Sequence, residues 1–384
     1  MNILIITGVR INLGGGMEYF IKDIIDHLGK RHHITIVEAE FGPEHTNLKE
    51  KINGADILSL GNRSGFDIPS LSEFLKLRRL FLRNDVVYYL SGAWNEIYCI
   101  ILQFLTGTPV IGLSWFLSDI EFRFGKYRKR EGNSARARLG TFFFGPSLIR
   151  LGKFFRMYQV VSHKDYLYLT KRWKDSGKVR EIPFGIDIAR YKPCKKRERF
   201  TLLYLARLDF QKGADLIPTI YAGIKNKIEN FKLIIVGDGK LKGILEEFAR
   251  DKPEIELRSY IGKESNWGEY SLLMCSAHLL LSPLRYAGTT FTSIEAMAFG
   301  TPVIEFDVTG TRERINNGID GFVVNDEREM IDRIISVYKM WNDSNTYDAF
   351  SESALKKAAE FNVKERMDDI EAMFYDVVQS VNKL

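Results

Sequence analysis

Short apolar runs alternate with amphipathic helical stretches along this chain, and the alternation happens twice over, which argues for two parallel-sheet domains. The first series opens on a strand at 2–7 and continues through a helix from Met17 to Leu28, with Phe20, Ile21, Ile24, Ile25 and Leu28 on one face. Strands are expected at 34–37, 55–60, 86–90, 109–113 and 160–162. The second series has strands at 201–205, 232–236, 277–282, 302–306 and 321–324, followed by a helical tail. Between the two, Ile182 to Pro193 reads as a linker, and Lys195–Arg199 marks a shift in composition.

A length of 384 residues with 45% apolar and 27% charged residues supplies two sizeable cores. No apolar run approaches the roughly 18 residues of a membrane span. The apolar start at 2–7 is short and lacks a basic lead, so it reads as a strand rather than a secretory signal. Cys99, Cys194 and Cys275 are scattered without a CxxC spacing. They predict a reduced, cytoplasmic setting, with neither a disulfide framework nor a thiolate metal site.

The net charge of +6 is local. Residues 121–156 hold ten Lys/Arg against Glu121 and Glu131, an excess of +8, interleaved with phenylalanines such as Phe122, Phe142 and Phe154. A solvated loop would account for it. A surface that meets anionic lipid suits the composition better, and no nucleic-acid docking motif is present. The expectation is a cytoplasmic protein, peripheral on a membrane.

The stretch Leu281–Ile304 places a Gly/Thr-rich turn between a buried strand and a helix, then a second buried strand. Such a turn opens helix N-terminal N–H groups to an anion. Gly288, Thr289, Thr290 and Phe291 form the turn. Glu295 lies about one helical turn further on, where it either reaches a sugar hydroxyl or closes a Thr292–Glu295 capping box. Arg207, at a strand end, and Lys212, before a helix, could neutralise a diphosphate or could simply be solvated. Gly237–Asp238–Gly239 reads as a turn or as a close backbone approach to a ligand. Gly14–Gly15–Gly16 is more glycine than one turn needs and favours phosphate or sugar contact. There is no GxGxxG, P-loop, GxSxG elbow or paired-histidine motif, so dinucleotide, ATPase, serine-hydrolase and metal-site readings lose support.

In order along the chain, these pieces resemble the family-4 retaining glycosyltransferases. Gly15–Gly16–Met17–Glu18 is similar to the GG-x-E loop, and Val161–Ser162 to the "VS" element. Pro183–Asp187 is similar to "NGVD", with Phe184 in place of Asn. Ala206–Leu208 with Lys212–Gly213, Ile235–Gly239 and Glu295–Ile304 are similar to "GRL…KG", "IVGDG" and "EAMAxGxPVI". Glu313, Asn317–Val324 and Phe361–Arg366 follow in the expected places. The resemblance implies an α/β GT-B fold: two facing Rossmann-like parallel-sheet domains, with a C-terminal helix crossing back to the first. The expected divisions are 1–190 for the acceptor side, 191–360 for the donor side, and 361–384 for the returning helix.

The resemblance also implies that Arg207 and Lys212 bind a donor diphosphate, that Glu295 holds the ribose, and that the Gly288–Thr290 amides and Gly15, Gly16, Gly237 and Phe291 line the donor. No metal and no cofactor are implied; a nucleoside-diphosphate sugar is the substrate, and a glycan or lipid-linked molecule the acceptor. Two positions depart from the pattern. Ala287 stands where the first glutamate falls, and Trp115 lies near the place of a histidine, so the sugar half of the site is altered. Asp119, Glu121 or Arg285 are candidates to grip the sugar instead. The expected function is retaining glycosyl transfer, with a non-catalytic nucleotide-sugar-binding partner as the alternative and a nucleotide-sugar epimerase as a weaker third.

Overall fold

A computed structural model describes residues 1–8, 15–40, 49–62, 70–90, 95–114, 151–286 and 290–382. The chain divides into two compact units, Met1–Phe184 with Val363–Leu384, and Gly185–Asn362. The divisions fall at 184/185 and 362/363.

The first unit is built on an eight-stranded sheet ordered β3-β4-β2-β1-β5-β6-β7-β8. Its strands are β1 (Asn2–Thr7), β2 (His33–Glu40), β3 (Lys49–Ile52), β4 (Ala55–Asn62), β5 (Val86–Leu90), β6 (Val110–Ser114), β7 (Met157–Val160) and β8 (Val179–Glu181). All pair in parallel except β3, which runs antiparallel to β4 at the edge. Strand β1 is central and wholly buried beyond Asn2. It pairs Ile3 with Ile34 on one side and with Val86 on the other. Both faces of such a sheet must be covered, hence the continuous apolar runs rather than alternation.

Helix α1 (Gly16–Leu28) buries Phe20, Ile21, Ile24, Ile25 and Leu28. Helices α2 (Leu71–Arg83), α3 (Asn95–Thr106) and α4 (His163–Trp173) complete the early part. Ser162, expected at the end of a strand, instead caps α4: its hydroxyl accepts from the Asp165 N–H at 3.1 Å. The strand there is Met157–Val160, so it starts three residues earlier than expected.

The second unit holds a six-stranded parallel sheet of β9 (Phe200–Leu205), β10 (Phe231–Val236), β11 (Ile255–Arg258), β12 (Leu279–Ser282), β13 (Val303–Phe306) and β14 (Gly321–Val324). Their order is β11-β10-β9-β12-β13-β14. Leu202, Tyr204 and Ile235 pack on one face, Leu203, Ile234 and Val236 on the other. This is the period-two signature of a strand buried on both sides. The sheet is flanked by α5 (Ile217–Ile224), α6 (Lys242–Ala249), α7 (Trp267–Ser276), α8 (Phe291–Ala298), α9 (Thr311–Arg314), α10 (Glu327–Trp341) and α11 (Ser344–Ala359).

The final helix, α12 (Val363–Asn382), belongs to the first unit. Met367, Ile370, Met373, Phe374 and Val377 are buried on one face of it. Phe374 meets Tyr88 edge to face, with ring centroids 5.3 Å apart. Glu371 pairs with His32 and Arg31, Asp376 with Arg180, and Ser380 accepts from Arg156. Phe184, at the position where the related element carries Asn, is fully buried against Phe20 of α1, 4.7 Å between centroids. A large apolar ring serves core packing there.

Cys194 and Cys275 form a disulfide, which overturns the expectation of unpaired thiols. Their separation of 81 residues hides the pairing in the sequence. Only the fold carries the linker past the C-terminal end of α7. Cys99 is free and buried. Among the described residues, no helix is long and apolar enough to cross a membrane.

Candidate functional site

In a sheet of this order, neighbouring strands β9 and β12 send their chains to opposite sides. Ligands of open parallel sheets lie at such a switch point, outside the carboxyl ends of the strands. The chain leaving β9 carries Arg207 and Lys212, and the chain leaving β12 carries Pro283 to Tyr286 and, further on, Thr290. Both segments of interest therefore meet at one place in the fold.

One backbone and one side-chain hydrogen bond hold them together. Arg285 N–H donates to the Gln211 carbonyl at 3.0 Å, and Gln211 Nε2 to the Tyr286 carbonyl at 3.2 Å. Gly213 adopts φ +73° directly against Pro283, and a Cβ there would sit 2.2 Å from the Pro283 carbonyl oxygen. That approach explains why glycine follows Lys212. Gly213→Ala should destabilise the protein by at least about 1–3 kcal/mol, the cost of a left-handed non-glycine residue, as read from urea unfolding. A loss below a few tenths would show that the two loops are not packed as described.

Arg207 is exposed and pairs with Asp209 at 3.0 Å and Gln211 at 3.0 Å. Asp209 also accepts the Lys212 N–H at 2.9 Å, so one carboxylate shapes the whole turn. The Lys212 amine is lowered to about 8, first by burial and then by the nearby Arg207 cation, against the pull of Asp209 and Glu305. An amine so short of solvation gains from an added anion.

Gly237 and Gly239 have φ of +153° and +156°. A Cβ at Gly237 would lie 2.0 Å from the Ala206 carbonyl oxygen, and one at Gly239 would lie 2.5 Å from that of Leu208. The close approach at this turn is thus to the Arg207 loop, which it braces: Leu208 N–H donates to the Asp238 carbonyl at 2.9 Å. Arg285 is committed elsewhere. Its guanidinium forks onto Asp215 at 2.5 and 2.8 Å and lies 3.8 Å from the centre of the Phe210 ring. It is therefore tied into the fold rather than held ready for a sugar.

Of the two readings of Glu295, the Thr292–Glu295 capping box does not form. Helix α8 begins two residues earlier, with Thr290 at its N-cap and no side-chain cap bond. The Glu295 carboxylate is buried. It accepts from Tyr191 at 2.9 Å and from Lys263 at 2.5 Å on one oxygen, and from Tyr270 on the other. These are its donors among the described residues, where a carboxylate offers about four acceptor positions. The Cys194–Cys275 bridge fastens the linker beyond Tyr191 to the helix that carries Tyr270, so it staples the two segments that hold Glu295.

The N-cap of α8 rests on a second buried carboxylate. Glu305, fully buried on β13, accepts from Ser293 and from Thr311 (2.8 Å) and pairs with buried Arg314. Thr290 Oγ1 lies 3.1 Å from Glu305 and 2.8 Å from Ser293. Burial would raise the Glu305 carboxyl, but Arg314 and the Ser293 and Thr311 hydroxyls outweigh it and hold the group below its usual range. Sequence reasoning missed this pair. A glutamate inside the apolar run Val303-Ile304-Glu305-Phe306 was the available signal, because a buried charge demands a partner. Tyr191, Lys263 and Tyr270 were missed as well, and separations such as the 104 residues between Tyr191 and Glu295 leave no local signal.

Gly15 and Gly16 lie in the first unit, where Gly15 is the N-cap of α1 and has no side chain to cap with. Buried Glu18 folds back over Gly15, its Oε2 2.5 Å from where a Cβ would stand. Ala287, Gly288, Thr289, Trp115, Asp119, Glu121 and the basic stretch from 121 through 150 lie outside the described residues. Phe291 opens α8, partly buried against the core. Among the described residues, no group of three His, Cys, Asp or Glu is placed to hold a metal ion.

Paired parallel-sheet units with a returning C-terminal helix are the architecture of the GT-B enzymes. Sucrose-phosphate synthase from Thermosynechococcus elongatus superposes with a TM-score of 0.77 at 16% identity, over 99% of each chain. Anabaena HepE in complex with UDP superposes at 0.74 and 16% identity, over 98% of this chain and 100% of that one. The chain has the GT-B fold. Residues 199–340 match the family model of the glycosyl transferases group 1. The poly(glycerol-phosphate) alpha-glucosyltransferase of Bacillus subtilis is 25% identical over 170 residues, 43% of this chain and 24% of that one. The matches span less than half the length of the curated relatives.

Proposed function

We propose that this protein is a glycosyltransferase that moves a sugar from a nucleoside-diphosphate donor to a glycan or lipid-linked acceptor with retention of configuration. One observation carries the reading: Arg207 and desolvated Lys212 stand at the β9/β12 switch point of a group 1 glycosyltransferase domain. In the proposed step the bond from the sugar C1 to the diphosphate breaks. The acceptor oxygen takes its place on the same face, and the acceptor's proton departs with the nucleoside diphosphate. Charge growing on the leaving diphosphate is met by two fixed cations, which serve as electrostatic stabilisers without a metal. Glu295, held by Tyr191, Tyr270 and Lys263, would accept a ribose hydroxyl. That HepE is seen with UDP supports a nucleoside-diphosphate ligand for the fold.

Ala287, in place of the expected glutamate, favours the second reading, a partner that binds nucleotide sugar without turning it over. Assay of nucleoside-diphosphate release from a panel of sugar donors, in EDTA, separates the two. Turnover should persist without metal and fall about 10- to 150-fold in Glu295→Gln, the range for loss of a charged hydrogen bond. Nucleotide binding without turnover for any donor and acceptor would establish the non-catalytic reading.

A further inference from the structure

Helix α3 in the first unit is apolar on its outer side as well as on its inner one, where Cys99, Ile100 and Leu102 join the core. Its charged residue, Glu96, is 3% exposed, while Ile97, Ile101, Phe104 and Leu105 are 39%, 41%, 71% and 57% exposed. At about 100° per residue these four fall on one stripe. The neighbouring α2 repeats the pattern. Leu77 and Phe81 face the core, and Leu71, Leu75 and Leu82 form an outward stripe with 75%, 44% and 53% exposure. Arg78 and Arg79 flank that stripe, with Lys76 and Arg83 beyond. Among the described residues none of these four cations has an acidic partner. Helices α2 and α3 touch along the same face of the sheet. Gln103 Nε2 donates to the Phe154 carbonyl at 2.8 Å, which ties half-exposed Phe154 to α3, and the Lys153 amine lies 5.1 Å from the Phe154 ring centre.

An apolar face this continuous is costly in water and marks an interaction surface. We infer that the α2–α3 face docks on an anionic lipid bilayer, the leucines, isoleucines and phenylalanines entering the headgroup–acyl boundary and Arg78, Arg79, Lys76, Arg83 and Lys153 meeting the lipid phosphates. The charge arrangement selects this occupant. A second copy joined face to face would set the cations of α2 against their own counterparts, because a two-fold interface repeats the same patch. A bilayer supplies an apolar interior and an anionic rim together. The inference stands independently of the glycosyl-transfer reading, since it uses neither the donor site nor the second unit.

The test is co-sedimentation of the full chain with vesicles of phosphatidylcholine alone and of phosphatidylcholine with phosphatidylglycerol. Binding is expected only with the anionic lipid, and added salt should release it. Arg78→Gln/Arg79→Gln should lower the partition coefficient about thirtyfold, roughly fivefold per cation. Phe104→Ser should lower it about tenfold or more by removing a buried ring. All these side chains are exposed, and an unchanged thermal midpoint confirms that the variants fold. Wild type that ignores anionic vesicles overturns the inference. So does binding that both variants leave intact, binding equal on neutral lipid, or a concentration-dependent dimer that Phe104→Ser dissolves.

Discussion

Arg314→Ala is expected to cost about 3–5 kcal/mol of unfolding free energy, because it leaves the Glu305 carboxylate buried without its cation. The double replacement Glu305→Met/Arg314→Met should recover most of that loss, since an apolar pair of similar volume removes both desolvation costs. The pH dependence follows from the direction of the shift. In the wild type the folded-state carboxyl lies below its unfolded value of 4.5. Its contribution is therefore complete above that value and is lost as pH falls through the lower, folded-state one. In Arg314→Ala the largest opposing contribution is gone, so burial is set against the Ser293 and Thr311 hydroxyls only and the group rises. The deficit relative to wild type should then shrink as the pH is lowered from about 7 towards 5. Urea unfolding at two pH values checks this. A loss under 1 kcal/mol at neutral pH, or a deficit that grows on acidification, would show that Glu305 is not a buried ionised group.

Lys212→Ala and Arg207→Ala should each weaken binding of the cognate nucleoside diphosphate by about 1.5–3 kcal/mol, the range for hydrogen bonds to charged groups. Lys212 adds a signature that Arg207 cannot. Its amine is lowered to about 8 by burial beside Arg207, and an arriving diphosphate favours the charged form. Binding near pH 8–9 should take up a proton, and affinity should decline as the amine discharges. Calorimetry in buffers of different ionisation enthalpy reads the proton directly, and the uptake should vanish in Lys212→Ala. Affinity unchanged from the wild type in both variants, or no proton uptake in the wild type, would remove the diphosphate from this corner of the fold.

What was legible from the amino-acid pattern was the long-range plan. Strands at 2–7, 86–90, 201–205 and 321–324 stand out because each is an apolar run buried on both faces. The strands that escaped notice are β3, β8 and β11, with sequences Lys49–Ile52, Val179–Glu181 and Ile255–Arg258. These are short and polar, and they lie at or beside sheet edges where the apolar signal fades. Arg207, Lys212 and Thr290 could be placed at one strand-end site because topology alone brings strand ends together. Their supports could not. Asp209 bracing Lys212, Glu305 beneath Thr290, and two tyrosines on Glu295 are contacts of the folded chain. The glycines show the same divide: Gly237 and Gly239 were visible as a turn or a close backbone approach, but Ala206 and Leu208, which make them necessary, were not. The cysteines misled for a related reason, since spacing cannot reveal which distant thiol the fold will deliver.

Hydrogen exchange with and without a nucleoside diphosphate tests the central claim most directly. Each of the common diphosphates is added to metal-free protein and the change in protection is read peptide by peptide. One of them should slow exchange across Leu205–Gly213 and from Pro283 to Glu295, the two loops at the β9/β12 switch point, with the change lost in Arg207→Ala/Lys212→Ala. Protection confined to other segments, or none with any nucleoside diphosphate, would contradict the assignment of the donor site.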